Sequence, residues 1–261
     1  MLNLTSEQQA CVAVLRDSDD TNLTVQAVPG AGKTSVILHI CAALNSSHTI
    51  RILTYNRNLC DETRARLTTM GMDDSVACYT FHGLCTRHIG PAHDDAMLFD
   101  QLDRAETCTD KDFLPSKLHV DILIVDEVQD FRRSFERLLR LVVVPKRIVA
   151  VGDILQLLYN YDTEDPADPA YLSSPEKMFA FMWPASERQW KHYSITQTHR
   201  LTRQMALFVS RVFKVNSLHS INPTPSPFPV HVHTVNLFQS GPLLLKLLTF
   251  LRLLFVVYSL K

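Results

Sequence analysis

The sequence predicts an α/β fold, a parallel sheet covered by helices on both faces. Three observations predict it. Short, unbroken apolar runs recur from residue 1 to about residue 215, and strands buried on both faces have that character. Longer stretches with helical periodicity separate them, the alternation of a parallel α/β domain. The sharp glycine-rich and acidic motifs fall at the carboxyl ends of these runs, where such sheets bind ligands.

Taken in order, NLTVQAV (22–28) reads as a buried strand and TSVILHICAAL (34–44) as the helix after it. TIRILTY (49–55) is a second strand and NLCDETRARL (58–67) a helix. SVACYT (75–80) and HVDILIVD (119–126) are a third and a fourth strand, FRRSFERLLRLV (131–142) is helical, and RIVAVGD (147–153) is a fifth strand. After about residue 215 the character changes. INPTPSPFPV (221–230) is proline-rich, which suits a linker. The expected organisation is a domain over 1–215, a linker or the first strand of another domain over 216–241, and an apolar tail over 242–261.

The 261 residues carry 26 Lys+Arg against 27 Asp+Glu, a formal net charge of -1. Any polyanion must therefore be met by local groups rather than by a global field. Six scattered cysteines with no C-x-x-C fit reduced thiols. The amino terminus has no basic stretch followed by an apolar one. An intracellular protein, nuclear or cytoplasmic, is expected.

The strongest motif is AVPGAGKTS, formed by Ala27, Val28, Pro29, Gly30, Ala31, Gly32, Lys33, Thr34 and Ser35. It matches G-x-x-x-x-G-K-[ST] except at Ala27. The glycines let backbone N–H groups turn toward phosphate oxygens, and the following helix offers its positive end to the same anion. Lys33 is placed for the β/γ-phosphates and Thr34 for Mg²⁺. ILIVDEVQD (122–130) delivers Asp126 and Glu127 at a strand end. Asp126 suits a metal-holding role and Glu127 the polarising of a water, with Gln129 and Asp130 as relays. AVGDILQLLYNY (150–161) ends a further strand, and its Gln156 suits a neutral γ-phosphate sensor.

These motifs, in this order, resemble superfamily 1 helicases of the UvrD/Rep/PcrA type, and still more their viral, fungal and F-box relatives. The resemblance spans residues 4 to about 213. It implies a RecA-like P-loop domain that binds ATP and Mg²⁺ and acts on single-stranded DNA, with a role in DNA repair or recombination. LTSEQQACV (4–12) is similar to the family's Q motif, which makes Gln8 an adenine reader. Thr5 and Gln8 equally form a helix capping box. ILTYNRNLCDETRARL (52–67) resembles motif Ia, CYTFHGLCTRHIG (78–90) motif Ib, DEVQD motif II and GDILQLLYNY motif III. SITQTHRLTRQMALFVSRVF (194–213) resembles motif IV; there Arg200 matches a γ-phosphate arginine, and His199 replaces a tyrosine that stacks on adenine. The resemblance makes Lys33, Glu127, Gln156 and Arg200 the catalytic set.

By the same resemblance a single strand crosses the domain on aromatic platforms. Tyr55, Phe81 and Tyr161 are the candidates, with Thr80, Arg57 and His82 toward the backbone. Base stacking of this kind is worth about 1–3 kcal/mol per base. The ordinary alternative for each ring is core packing. The sequence stops before the family's motifs V and VI, so a second RecA-like domain in trans, or self-association, would complete the motor. A truncated remnant that binds ATP without unwinding is the competing expectation. The interval from Thr80 to Asp126 is only about 45 residues, too short for the family's large insertion.

The tail from Pro242 to Leu260 is apolar but contains Lys246 and Arg252. It reads as a membrane helix, a docked helix or an unnatural coding end, and a membrane is the less expected partner. Cys78, His82, Cys85, His88 and His93 are too compressed for a structural zinc site. An N-K-x-D segment is absent, which counts against a GTPase.

Overall fold

The structure is a computed structural model that describes residues 3–72, 75–108, 115, 117–153, 179, 182–183, 188–213 and 218–224. The chain divides into two compact units, Met1–Thr196 and Gln197–Lys261.

The first unit is built on a six-stranded sheet. Its strands are β1 (Thr21–Ala27), β2 (Ile50–Thr54), β3 (Val76–Thr80), β4 (Leu118–Val125), β5 (Val143–Gly152) and β6 (Gln189–Ile195), in the order β3-β2-β4-β5-β1-β6. Every pairing is parallel. The helices are α1 (Ser6–Arg16), α2 (Lys33–Leu44), α3 (Arg57–Thr69), α4 (Phe81–His88), α5 (Asp95–Thr107) and α6 (Arg133–Val142). The α/β class expected from the apolar runs is therefore the observed one.

Alternation along the central strands shows that both faces are covered. Leu123 and Val125 of β4 join a cluster with Phe81 and Leu84 of α4, Leu98 and Leu102 of α5, and Phe135, Leu138 and Leu139 of α6. Ile122 and Ile124 point the other way and are equally buried. Burial on both sides explains why these strands read as continuous apolar runs.

Three elements differ from the sequence reading. Strand β5 starts at Val143 and includes Pro145, which is paired opposite Val120 of β4. Its pairing with β1 begins only at Val149. Pro145 therefore lies where the strand has a neighbour on one side, the place in a sheet that tolerates a missing N–H. Strand β6 is a polar edge strand paired only with β1. Helix α5 occupies the interval before β4; it is capped by Asp94, whose carboxylate accepts the Met97 N–H at 2.8 Å, and buries Leu98, Leu102 and Ala105 at helical spacing.

Two polar anchors fix α1. The Glu7 carboxylate accepts from the backbone N–H and the hydroxyl of Thr196, at 2.8 and 2.6 Å, just past β6. Arg147 of β5 is 2% exposed and donates to the carbonyls of Leu15 and Ser18 at 2.8 and 2.9 Å. Those carbonyls at the end of α1 would otherwise lack donors, and a cation there complements the helix dipole.

The second unit places β7 (Gln197–Thr198) parallel to β8 (His219–Ser220), with helix α7 (Arg203–Phe213) between them in the chain. The buried Thr198 hydroxyl accepts the backbone N–H groups of Arg200 and Leu201, shaping the turn before α7. The stretches 229–238 and 242–261, and most of 221–230, lie outside the described residues.

Arg147→Met keeps the apolar stem and removes the donor to two carbonyls. It is expected to cost about 2–3 kcal/mol, read as a lower urea midpoint with an unchanged slope.

Candidate functional site

The glycine-rich segment links the end of β1 to the start of α2. The Val28 N–H donates to the Ile195 carbonyl at 3.0 Å, and the Ala31 N–H closes a turn onto the Val28 carbonyl at 3.1 Å. Gly30 and Gly32 have φ of 72° and 80°, the left-handed region where a side chain is strained. At Gly32 space is also short, because an added Cβ would lie 2.7 Å from the Gln8 amide nitrogen. Helix α2 begins with no side-chain cap and no acidic residue in its first turn. An uncapped, uncontested positive end fits a bound phosphate.

Gln8 braces this loop. Its amide oxygen accepts the Thr5 N–H at 2.9 Å, and its amide nitrogen donates to the Ala31 carbonyl at 2.7 Å. The capping box is complete and Gln8 is 2% exposed. Both ends of the amide engage protein, so Gln8 serves as cap partner and loop brace, the capping-box role expected beside the adenine-reading one.

The DEVQD segment turns sharply after β4. Glu127 has φ 52° and ψ 48°, and it is the non-glycine residue with positive φ among the described residues. Such a conformation costs on the order of 1–3 kcal/mol. Three contacts hold it. The Glu127 N–H donates to the Asp126 carboxylate at 2.9 Å. Its carboxylate accepts from Lys33 Nζ at 2.8 Å and from Gln129 Nε2 at 2.7 Å. Lys33 and Glu127 are 13% and 22% exposed, so the pair is shielded from solvent screening. Gln129 also accepts the Asp153 N–H through its amide oxygen at 3.0 Å. That contact needs Gly152, where a Cβ would come within 2.7 Å of Val128 and 2.8 Å of Gln129. Gln129 thus joins the acidic turn to the start of the 150–161 motif.

Burial, reinforced by the charge of Glu127, pushes the Asp126 carboxyl up. The same two causes raise Asp130 to about 6. Asp126, Glu127 and the Thr34 hydroxyl are hard oxygen donors of the kind Mg²⁺ takes, with one or two carboxylates sufficing beside phosphate oxygens. Among the described residues no group of three or more His, Cys, Asp or Glu is placed to hold a metal. All six cysteines are free thiols.

The residues expected to meet a strand separate into two groups. Phe81 is 2% exposed and stacks on Phe135 with centroids 4.0 Å apart and planes 4° apart. Its ring belongs to the core, which corrects the base-stacking expectation for it. The Thr80 hydroxyl caps α4 by accepting the Gly83 N–H at 3.0 Å. Tyr55, just past β2, is 38% exposed. Arg57 is 90% exposed at the start of α3, near Asp61. His82 donates from Nε2 to Asp95 at 3.0 Å. Sequence reasoning missed Arg132, which reaches both Asp95 and Tyr55; its place directly after DEVQD-Phe131 was the available signal. Gln156 and Tyr161 lie outside the described residues. His199 and Arg200 are exposed in the second unit, where the Arg200 carbonyl accepts from Asn222 at 3.1 Å.

A carboxyl whose folded-state pKa is raised favours the fold below the unfolded value and opposes it as pH rises. In EDTA, Asp126→Asn is expected to melt a few degrees above the unsubstituted chain at pH 8. The gap should close near pH 4, where both forms are neutral; thermal melts across this range measure it.

A family model described as an AAA domain matches residues 8–162. No curated protein sequence matches the chain. Among solved structures, a Pif1 helicase from Bacteroides in complex with ADP-AlF3 and ssDNA is 16% identical, over 83% of this chain and 48% of that one, with a TM-score of 0.45. A structure of two coordinating Pif1 helicases at forked dsDNA is 14% identical over 83% and 49%, with a TM-score of 0.46. A Pif1 helicase from Candida albicans is 15% identical over 78% and 42%, with a TM-score of 0.41. The chain spans about half the length of these structures or less. The matched family span opens at Gln8 and contains the glycine-rich loop, the DEVQD turn and strands β1 to β5, and the chain belongs to the AAA-domain family.

Proposed function

We propose that residues 1–215 are the ATP-binding and ATP-hydrolysing domain of a superfamily 1 DNA helicase of the UvrD-like kind, acting on single-stranded DNA. The contact that carries this reading is Lys33 Nζ to Glu127 at 2.8 Å. It joins the residue suited to a γ-phosphate to the residue suited to a water, from two motifs 94 positions apart.

Mg²⁺-ATP, when bound, would supply the phosphoryl group and a cation that neutralises charge on the phosphates. The uncapped first turn of α2 and the left-handed glycines orient backbone N–H groups on phosphate oxygens. Thr34 and Asp126 are the metal-holding pair. Lys33 exchanges the Glu127 carboxylate for phosphate, and Glu127 is then released to accept a proton from water. Gln129 keeps that carboxylate aimed through its 2.7 Å contact. Arg200, His199 and Gln156 are proposed to complete the nucleotide site, as the motif order implies.

The chain spans about half the length of the matched solved structures. A second RecA-like domain in trans, or self-association, belongs to the same proposal as the partner for unwinding. A trans arginine is worth about 10³–10⁵ in rate in comparable sites. A role in DNA repair or recombination belongs to the same proposal, as does a nuclear or cytoplasmic setting, which the free thiols suit. No described helix is long and apolar enough to cross a membrane.

Phosphate release from Mg²⁺-ATP, with and without single-stranded DNA, tests the reading. DNA-stimulated release is expected, and Lys33→Ala should remove it together with most ATP affinity. Glu127→Gln should keep ATP binding and lose turnover by at least about 100-fold. Turnover by Glu127→Gln equal to that of the unsubstituted chain would refute the assignment of the base. Lys33-dependent binding without any release would mark an ATP-binding module that does not run as a motor.

A further inference from the structure

One polar cluster in the first unit plays no part in the nucleotide chemistry. Arg132 precedes α6 and donates from Nη1 to Asp95 at 3.2 Å and from Nη2 to the Tyr55 hydroxyl at 3.3 Å. Its guanidinium carbon also lies 5.1 Å from the centroid of the Tyr55 ring, within range of a cation–π contact. His82, at the start of α4, donates to the other oxygen of the same Asp95 carboxylate at 3.0 Å. Four elements thus converge: the end of β2, the first turns of α4 and α5, and the residue before α6.

The exposures are uneven in a telling way. Tyr55 is 38% exposed and the Asp95 side chain 48%, whereas Arg132 and His82 are 19% and 22% exposed. The two donors are anchored in the surface and the carboxylate covers them from outside. An arginine fork and an imidazole N–H aimed at one pair of oxygens also match a phosphodiester. Beside them stands an exposed aromatic ring, braced on its inner side by Phe135 at 5.8 Å. A phosphate clamp next to a stacking platform is the composition of a single-strand groove.

We propose that Arg132 and His82 form a backbone-phosphate clamp beside the Tyr55 platform, and that Asp95 is its built-in competitor. The strand phosphate and the Asp95 carboxylate are alternative partners of the same two donors. Asp95 thereby lowers the affinity for any polyanion and sharpens the demand for a base that stacks on Tyr55. This inference rests on the single-strand reading above and adds two residues to it.

Fluorescence anisotropy of a labelled oligo-dT against the full chain, over a range of salt concentrations, tests it. Arg132→Ala should weaken binding several-fold and flatten the slope of log affinity against log salt by about 0.7, the value for one single-strand phosphate. Asp95→Asn keeps the shape of the side chain and should tighten binding about three- to tenfold at low salt, as a removed like charge does. Asp95→Asn added to the pair Arg132→Ala and His82→Ala should bind like that pair alone. If Asp95 is merely a structural partner, Asp95→Asn leaves affinity unchanged or lowers it, and the competitor is refuted. A gain that survives when both Arg132 and His82 are replaced refutes the clamp. Urea midpoints of all variants show whether a loss reflects unfolding. Binding by the unsubstituted chain that ignores Arg132 and Asp95 overturns this inference alone; no binding by any variant overturns the single-strand reading with it.

Discussion

Lys33 and Glu127 come from motifs whose strands, β1 and β4, are separated in the sheet by β5. To meet at 2.8 Å, the acidic turn has to fold across the end of β5. Gly152 makes that passage open, because a Cβ there would strike both Val128 and Gln129. Glu127 takes up the remaining strain as a left-handed residue. Two charges so poorly exposed are costly unless paired, and the pair in turn holds the strained turn in place. Gly152, the Lys33–Glu127 ion pair and the left-handed Glu127 therefore form one mutually supported unit.

The strand-facing residues obey a different constraint. Tyr55 and Phe81 each follow a parallel strand by one residue, β2 and β3 respectively. Phe81 opens a helix directly, and that helix turns its ring inward onto Phe135. Tyr55 is followed by Asn56, which caps α3 by accepting the N–H groups of Asn58 and Leu59, and the extra residue leaves the ring at the surface. Two connecting residues, Tyr55 and Asn56, lie between β2 and α3 and none between β3 and α4, and that difference separates a candidate platform from a core aromatic. Motif spacing in a sequence does not carry that distinction, because the direction of a ring depends on how the next helix packs.

What the sequence displayed follows from burial. Strand β4 is apolar on both faces along Ile122–Val125 and β5 along Ile148–Val151, β1 and β2 each carry a short apolar set, and all are visible as runs with the glycine-rich and acidic motifs at their ends. Strand β6, QWKHYSI, was hidden because an edge strand with one neighbour keeps polar residues that discourage further pairing. Helix α5 was hidden because its apolar stripe, Leu98, Leu102 and Ala105, is narrow among charges. The adenine role expected of Gln8 and its brace role use the same amide, and only the fold shows which partners it finds. Arg132 lay within a basic, helical stretch whose side chains look alike until Tyr55 and Asp95 come to meet one of them.

The segment from Asp126 to Arg132 is where these two regions become one. Glu127 pairs with Lys33, Gln129 ties to Asp153, Phe131 packs edge-on against Phe81 and Phe135, and Arg132 reaches Tyr55 and Asp95. Seven residues thus span both candidate sites with a 3₁₀ turn at their centre. Phe131, 1% exposed, fixes that turn to the core. Any exchange of partners at Glu127 acts on a segment whose other end carries the Arg132 guanidinium. With a net charge of only -1 on the whole chain, attraction for a nucleic-acid strand has to come from such individually placed groups. The short acidic turn is then the covalent link between the Lys33–Glu127 ion pair and the Arg132–Asp95–Tyr55 cluster.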